Sequence, residues 1–288
     1  TAFLLVLVGT VKDSKSWNKI LSASVWSAFF VAVISYFEPS GFGFIKENAS
    51  TIGNTSYAGI FLVTAIFFSL YLAREVGQKS KKYLYSFFAV AIFVSPILLN
   101  IQGIVHIFQN PLGFLGESRA AVPSLVFGLF VYTAIIYRKK IAPMIGICVL
   151  AVGLFFALFM NIRSTSLQTM FNEIGGQRIL FWDSAIKGIQ ERPLLGWGPE
   201  NYSTPFYKYF TPQLYEDKHG EGLEADTDKP HNMYLEVGVS GGLLALVAYM
   251  FLVGAAFRGL LRREFIQRNA SLVGALVAYL LFNIFFFY

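Results

Sequence analysis

Long apolar stretches recur along the whole chain, and one extended polar segment interrupts them. The apolar stretches lie near residues 20–37, 58–73, 83–100, 119–137, 141–160, 235–257 and 270–288. Most are about as long as a helix must be to cross the hydrocarbon core of a bilayer, which takes roughly 20 residues. The pattern therefore predicts an all-α polytopic membrane protein, a bundle of transmembrane helices carrying one large loop.

The polar segment, residues 161–234, divides the chain into three parts. Residues 1–160 are predicted to form transmembrane helices, and residues 235–288 are predicted to form the last ones. Residues 1–9 are apolar and include no initiator Met, so we expect further N-terminal helices to be missing from this sequence. Loops longer than about 12–15 residues are usually functional or disordered. The helical periodicity and the many aromatics of this segment favour a functional loop.

Composition and charge agree with a membrane protein and predict its topology. The chain is 55% hydrophobic and 14% charged, which is too apolar for a soluble domain. The loops around 12–19, 74–82, 138–140 and 258–268 hold 14 of the 23 lysines and arginines but 3 of the 17 acids. Because cytoplasmic loops carry an excess of Lys and Arg, residues 161–232 are predicted to lie outside the cytoplasm. The net charge of +6 thus reflects topology and does not indicate binding of nucleic acid.

The first part of the polar segment predicts an amphipathic helix over residues 178–191. Ile179, Trp182, Ile186 and Ile189 recur at helical spacing, with polar residues on the other sides. We expect this helix to lie in the membrane interface. Pro193 ends it, and a tight turn anchored by an aromatic ring follows at Trp197.

Residues 199–215 are dense in aromatics, among them Tyr202. Two interpretations stay open. Aromatic rings at this level commonly form an interfacial belt or pack against one another. Alternatively, rings that face a cleft can stack on sugars or contact a polyprenyl tail.

Residues 216–228 are acidic, but they lack the ligand spacing of a calcium loop, so we expect a solvated flap and no metal site. Cys148 lies within an apolar stretch and is predicted to be an inert small side chain. The sequence therefore predicts no metal and no cofactor.

Two arginines stand where a cation is unfavourable. Arg119 begins an apolar stretch at its predicted outer end, where a guanidinium needs a partner or an aqueous cavity. Arg178 begins the predicted amphipathic helix, although the helix dipole favours an anion there. Either arginine could instead be an ordinary surface cation that snorkels or pairs with a nearby acid.

His231 and Asn232 follow Pro230 where the polar segment ends and the next apolar stretch begins. Asn232 is a suitable N-cap for the following helix. The imidazole of His231 titrates near neutrality, which suits a general base in a cleft at the membrane edge. A structural hydrogen-bonding role is the alternative for His231.

In combination, these motifs resemble the bacterial O-antigen ligase/polymerase superfamily, which includes O-antigen ligases, O-antigen polymerases and O-oligosaccharyltransferases. The similarity covers about residues 118–242. The matching pieces are Ser118-Arg119, Gln177-Arg178 with Trp182 and Ala185, Pro193-Leu194-Leu195-Gly196-Trp197-Gly198, and His231-Asn232 with Tyr234, Leu235 and Glu236. One departure is Ser240-Gly241-Gly242, which stands where many members have an acidic residue before a glycine.

The resemblance implies a metal-independent, inverting glycosyltransferase of the bacterial cytoplasmic membrane, with the large loop facing the periplasm or cell exterior. Its donor would be an undecaprenyl-diphosphate-linked glycan, and its acceptor a hydroxyl of a lipid, a saccharide or a protein. The resemblance implies that His231 and Arg178 are catalytic. The resemblance also implies that membrane lipid surrounds the protein. The residues expected to bind substrate are Arg119, Asn232, Trp197 and Tyr202.

A transporter or channel is the alternative function. Transporters often carry broken helices and charges deep within their spans. Here the middles of the apolar stretches are nearly free of charge, and the polar residues gather in one loop. This distribution favours an enzyme that acts at the membrane surface.

Overall fold

We describe the fold from a computed structural model that covers residues 9–35, 52, 55–95, 121–137, 178–209 and 227–284, without the side chains of 55, 56, 122 and 178–180. The elements in these ranges are all helices, as the hydrophobic pattern predicted. They are α1 (Ser14–Ser35), α2 (Thr55–Glu75), α3 (Lys79–Phe93), α4 (Ala121–Ile136), α5 (Arg178–Glu191), α6 (Ser203–Tyr209), α7 (Met233–Leu260) and α8 (Ala270–Phe282).

Three of these helices are long and apolar enough to cross a membrane. They are Ser14–Ser35, Tyr57–Glu75 and Met233–Leu260, while Pro123–Ile136 and Ala270–Phe282 are apolar but shorter. Each coincides with a predicted transmembrane stretch, and α3 coincides with the stretch near 83–100. The predicted span at 141–160 lies outside the described residues. The chain is therefore a helical membrane protein.

The helices fall into two compact units, of which the first comprises residues 1–141 and 260–279. Its core joins α1, α2 and α3 through apolar side chains, with Val25, Leu72 and Phe88 buried at the centre. Trp26 packs edge-on against Phe88, with ring centroids 4.5 Å apart. Such contacts follow from helices that are apolar on most sides and must pack against one another.

Small residues allow a close helix crossing in the same unit. A Cβ atom added to Gly128 of α4 would lie 2.6 Å from the carbonyl oxygen of Gly274 in α8, and one added to Gly274 would lie 2.7 Å from that of Gly128. Helices in membranes use such small residues to bring their backbones together.

Two loops that the charge pattern assigns to one side of the membrane, at 74–82 and 258–268, meet at one end of this unit together with the end of α4. Arg268 donates two hydrogen bonds to the carboxylate of Glu75, at 2.8 and 2.6 Å. Gln267 donates to the carbonyl oxygen of Ile135, one residue before the end of α4. These contacts agree with a shared side for the loops at 74–82 and 258–268.

The second unit comprises residues 142–259 and 280–288 and contains α5, α6 and most of α7. Its core is a cluster of buried side chains, into which Trp182, Ile189, Trp197 and Leu235 partly pack. The buried members are Phe181, Ala185, Tyr202, Phe206 and Val239. The part of the polar segment that the structure describes therefore folds around an apolar core of its own.

Candidate functional site

His231 is buried at the junction between the polar segment and α7. Its side chain is 5% exposed, and its backbone has a φ of 55°, one of two positive values among the described non-glycine residues. Histidine is among the residues that tolerate this left-handed conformation, yet such positions cost free energy and cluster at functional sites. The chain thus turns sharply at His231 and presents its imidazole to the interior of the unit.

Asn232 fixes the start of α7 immediately after this turn. Its side-chain oxygen accepts hydrogen bonds from the backbone N–H groups of Tyr234 and Leu235, at 3.0 and 3.1 Å. The predicted N-cap is therefore confirmed. The backbone N–H of Met233 donates to the carbonyl oxygen of Asn283, and the hydroxyl of Tyr234 donates to that of Leu280. The start of α7, directly after His231, is thus held by its own cap and by hydrogen bonds to residues 280 and 283.

The first turn of α5 lies beside His231. The ring of Phe181 meets the imidazole edge-on, with centroids 5.2 Å apart. Arg178 begins this helix three residues earlier, about 4.5 Å along the helix axis at 1.5 Å per residue. The structure therefore brings the first turn of α5, which Arg178 begins, into contact with His231, although Arg178 and His231 are 53 residues apart in the sequence.

The helix expected at 178–191 forms as α5, and the side of it that packs against protein is centred on residues other than Ile186. The buried positions are Phe181, Ser184 and Ala185, with Gly188 against Pro205, while Ile186 is 46% exposed. The sequence pattern had grouped Ile186 with Trp182 and Ile189, which are partly buried. The Phe181 side of the helix packs against α6 and α7, and contact of the Ile186 side with the membrane interface stays a prediction.

Tyr202, which we expected to bind substrate, is fully buried and its hydroxyl donates to the carbonyl oxygen of Phe181 at 2.8 Å. Burial, and secondly the charge of Glu236, raises the pKa of Tyr202 far above its usual range. This tyrosine is therefore a neutral packing residue that ties α6 to the first turn of α5. Its contact with substrate stays a prediction.

Trp197 is partly buried and joins the end of α5 to the following loop. Its indole N–H donates to the carbonyl oxygen of Gly188 at 2.9 Å, and the guanidinium of Arg192 lies 4.0 Å from its ring centroid. One contact lies at the edge of the ring and the other over one of its faces. The predicted role of Trp197 in substrate binding also stays a prediction.

A polar cluster joins α5 to α6 on the exposed side of the unit. The carboxylate of Glu191 accepts from the ammonium of Lys208 and the hydroxyl of Tyr209, both at 2.5 Å. The hydrogen bond from Lys208, followed by that from Tyr209, lowers the pKa of Glu191, while the same bonds raise the pKa of Lys208 and of Tyr209. The cluster is an exposed link between the two helices, in addition to their buried apolar contacts.

A break in α7, which we did not predict, connects this helix to the 193–198 loop. Gly242 has φ 69° and ψ −171°, a conformation that is essentially limited to glycine. The break frees backbone groups of α7, and the loop pairs with them. Trp197 N–H donates to Val239 O at 2.8 Å, Gly198 N–H to Ser240 O at 2.9 Å, and Leu243 N–H to Pro193 O at 2.7 Å.

Two glycines make this pairing possible because no Cβ atom would fit. A Cβ atom on Gly242 would lie 2.2 Å from the carbonyl oxygen of Leu194, and one on Gly196, whose φ is 65°, would lie 2.4 Å from that of Val239. The glycines were visible in the sequence. The pairing between them was not, because they are 46 residues apart.

Other predicted features lie outside the described residues. These are Arg119, the side chain of Arg178, and the acidic flap from 216 to 226. Within the described ranges, no group of three or more His, Cys, Asp or Glu residues could hold a metal ion.

Comparison with known proteins gives one assignment. Residues 112–250 match the family described as O-antigen ligase. This range begins before Arg119 and includes α5, the 193–198 loop, His231 and the break in α7. Among curated proteins, none matches the chain.

Proposed function

We propose that the chain transfers a glycan from an undecaprenyl-diphosphate-linked donor to an acceptor hydroxyl, because its residues 112–250 match the family described as O-antigen ligase. The acceptor belongs to a lipid, a saccharide or a protein. The reaction takes place at the outer face of the bacterial cytoplasmic membrane, where the charge pattern predicts the polar segment to lie.

The observation that carries this proposal is the conformation of His231. A buried histidine in the left-handed region costs free energy that a purely structural turn could avoid with glycine or asparagine. The residues around it hold it firmly, since Asn232 caps α7 and Phe181 packs against the imidazole. An imidazole held in this way suits a general base, which must be placed before the reaction begins. In the proposed reaction it removes the proton of the acceptor hydroxyl.

Arg178 serves the leaving group in this proposal. As the bond between the sugar and the diphosphate breaks, negative charge develops on the phosphate oxygens, and a guanidinium can bind two of them at once. The N-terminal turn of α5 adds the positive end of its helix dipole. Arg119 is proposed as a second cation for the diphosphate. With arginines in this role, the transfer needs no metal ion.

Inversion of the anomeric carbon follows if the acceptor oxygen attacks opposite the diphosphate in a single displacement. His231 then belongs on the acceptor side and Arg178 on the donor side of the sugar. A site that holds the general base and the cation at fixed positions lowers the entropy cost of bringing donor and acceptor together. The contact between Phe181 and His231 supports such an arrangement.

The break in α7 is the feature that most resembles a transporter, in which unwound backbone coordinates ions. Here the backbone groups at the break are instead paired with the 193–198 loop. The break therefore does not leave those groups available for an ion. This observation favours transfer over transport.

Replacement of His231 tests the proposal. We expect His231→Ala and His231→Asn to lower the rate of transfer by about 10²–10³-fold in a strain that lacks the native activity, with accumulation of the lipid-linked donor. The asparagine variant is the stricter test because asparagine also tolerates a positive φ. Asp228→Ala, an exposed neighbour, is the matched control and should retain activity.

Normal glycan product from His231→Asn at wild-type expression would contradict the proposed base. Addition of EDTA to isolated membranes should leave the wild-type rate unchanged. Turnover that stops with EDTA would instead indicate a metal requirement and would make the acidic residues at 216–228 the candidate metal ligands.

A further inference from the structure

Four leucines are exposed on neighbouring backbone segments at the break in α7. Leu194 and Leu195 are 64% and 76% exposed, and Leu243 and Leu244 are 45% and 58% exposed. We refer to these four residues as the leucine patch. A single exposed leucine needs no explanation, but a contiguous group of them on a surface marks an interaction site.

The two halves of the leucine patch are fixed relative to each other. Leu243 N–H donates to Pro193 O at 2.7 Å, and the loop pairs with Val239 and Ser240 through two more backbone hydrogen bonds. The close approach of Leu194 to Gly242 leaves no room for a Cβ atom between them. The loop can therefore not fold the leucines inward without breaking three hydrogen bonds.

The leucine patch continues into the exposed side of α7. Beyond the break, Val247, Met250 and Phe251 are at least half exposed, with Phe251 at 78%. They belong to a helix that is apolar enough to cross a membrane, and lipid is the surrounding that such an exposed apolar side requires. Before the break, Gly238 and Val239 are buried within the unit. The surface that faces lipid thus begins at the break.

The residues next to the leucine patch have the composition of a membrane interface. Arg192 is exposed and lies over the partly buried ring of Trp197. Arginine and tryptophan are favoured at the level of lipid headgroups, where a cation meets phosphate and an indole ring is half solvated. Arg192 and Trp197 lie two or three residues from Leu194 and Leu195 in the sequence, so residues suited to lipid headgroups flank residues suited to acyl chains.

We propose that the leucine patch inserts into the acyl-chain region of the bilayer, on the side where the polar segment lies, with Arg192 and Trp197 at headgroup level. The 193–198 loop is then a fixed membrane contact of the polar segment. From Leu243 to Leu260, α7 extends about 27 Å at 1.5 Å per residue, close to the roughly 30 Å hydrocarbon thickness. Residues 233–241, about 13 Å of helix, separate His231 from the level of the leucine patch.

Position-specific fluorescence tests this inference independently of glycan transfer. Single cysteines replace Leu195, Phe251 or Asp228 in the full chain, in a background where Cys148, the one native cysteine, is alanine. Each is labelled with an environment-sensitive nitrobenzoxadiazole probe after reconstitution into phosphatidylethanolamine–phosphatidylglycerol vesicles. Lipids that carry a nitroxide spin label on the acyl chains then report contact with the hydrocarbon region by quenching the probe. Phe251 is the lipid-facing reference, and the exposed Asp228 is the water-facing reference.

We expect the Leu195 probe to be quenched by spin-labelled lipid to within about twofold of the Phe251 probe, and to emit at shorter wavelength than the Asp228 probe. A probe at Leu194 should behave in the same way, which guards against disturbance of the loop by one label. A Leu195 probe as weakly quenched as that at Asp228 overturns the inference. Shielding of that probe by added undecaprenyl phosphate, but not by the bilayer itself, also overturns it and makes a polyprenyl chain the occupant.

Discussion

In the first unit, α1, α2 and α3 meet through apolar and aromatic side chains, whereas in the second unit the 193–198 loop meets α7 through backbone atoms. The first kind of contact involves rings such as those of Trp26 and Phe88. The second involves three backbone hydrogen bonds and two glycines. Side-chain packing tolerates changes of similar volume, while a backbone contact has no side chain that can adjust. The units should therefore respond differently to small substitutions.

The largest difference is expected at Gly242. Gly242→Ala places a Cβ atom against the Leu194 carbonyl and forces alanine into a conformation limited to glycine. We expect an apparent destabilisation of about 3 kcal/mol from strain and overlap combined. Thermal unfolding of the purified protein in detergent measures it, together with faster proteolysis of the polar segment.

Gly254→Ala is the matched control on the same helix, because a Cβ atom there meets nothing within 4 Å. It should be neutral or stabilise by roughly 1 kcal/mol through helix propensity. Equal unfolding temperatures for the Gly242 and Gly254 variants would mean that the break in α7 is not held by the loop.

Gly128→Ala should destabilise the first unit by a smaller amount, about 2 kcal/mol, because two helices can move slightly apart where a paired loop cannot. The added Cβ atom would lie 2.6 Å from the carbonyl oxygen of Gly274 and the same distance from the Phe67 ring. Gly274→Ala should have a similar effect on the unfolding temperature. A double variant no worse than either single variant would confirm that the two positions form one contact.

Asn232 distinguishes a capping role from a substrate-binding role. Asn232→Ala should lower the stability of α7 by about 1 kcal/mol, while Asn232→Asp keeps the acceptor oxygen and places a negative charge at a helix N-terminus. If Asn232 acts as a cap alone, the aspartate variant should transfer glycan at nearly the wild-type rate. Loss of transfer in Asn232→Asp with an unchanged unfolding temperature would support contact with the anionic donor.

The smallest effect is expected from the exposed cluster at Glu191. Its carboxylate has a lowered pKa in the folded protein, so the bonds to Lys208 and Tyr209 contribute stability that is present above the usual glutamate range and is lost as the pH falls through the lowered pKa. Because the group is exposed, the shift in unfolding temperature should be slight. Glu191→Gln should remove this acid-dependent part of the unfolding curve, and an unaltered curve would contradict the assignment.

The sequence predicted much of the fold, and the reason is visible in particular residues. Apolar stretches of membrane length predicted α1, α2, α7 and the shorter α4 and α8 well, since burial in lipid leaves few other conformations. The cap at Asn232 followed from residue type and position alone. Local rules sufficed in each case because the partners lie within a few residues.

Long-range contacts account for the rest. Periodicity predicted an amphipathic α5, but the face that packs on protein depends on α6 and α7, which no local pattern specifies. The break at Gly242 depends on a loop 46 residues earlier. For the site, the sequence singled out His231 and Arg178, whereas their approach through Phe181 required the structure.

The central claim is that Arg178 and His231 act in one transition state. The direct measurement is a double-mutant cycle on initial rates of glycan transfer, with membranes that accumulate the lipid-linked donor and carry wild type, Arg178→Lys, His231→Asn or both at equal folded levels. Each single change should lower the rate by about 10²–10³-fold. Residues that act as a unit are non-additive, so the double variant should fall within about tenfold of the slower single variant. A double variant whose loss equals the product of the two single losses would contradict the shared site.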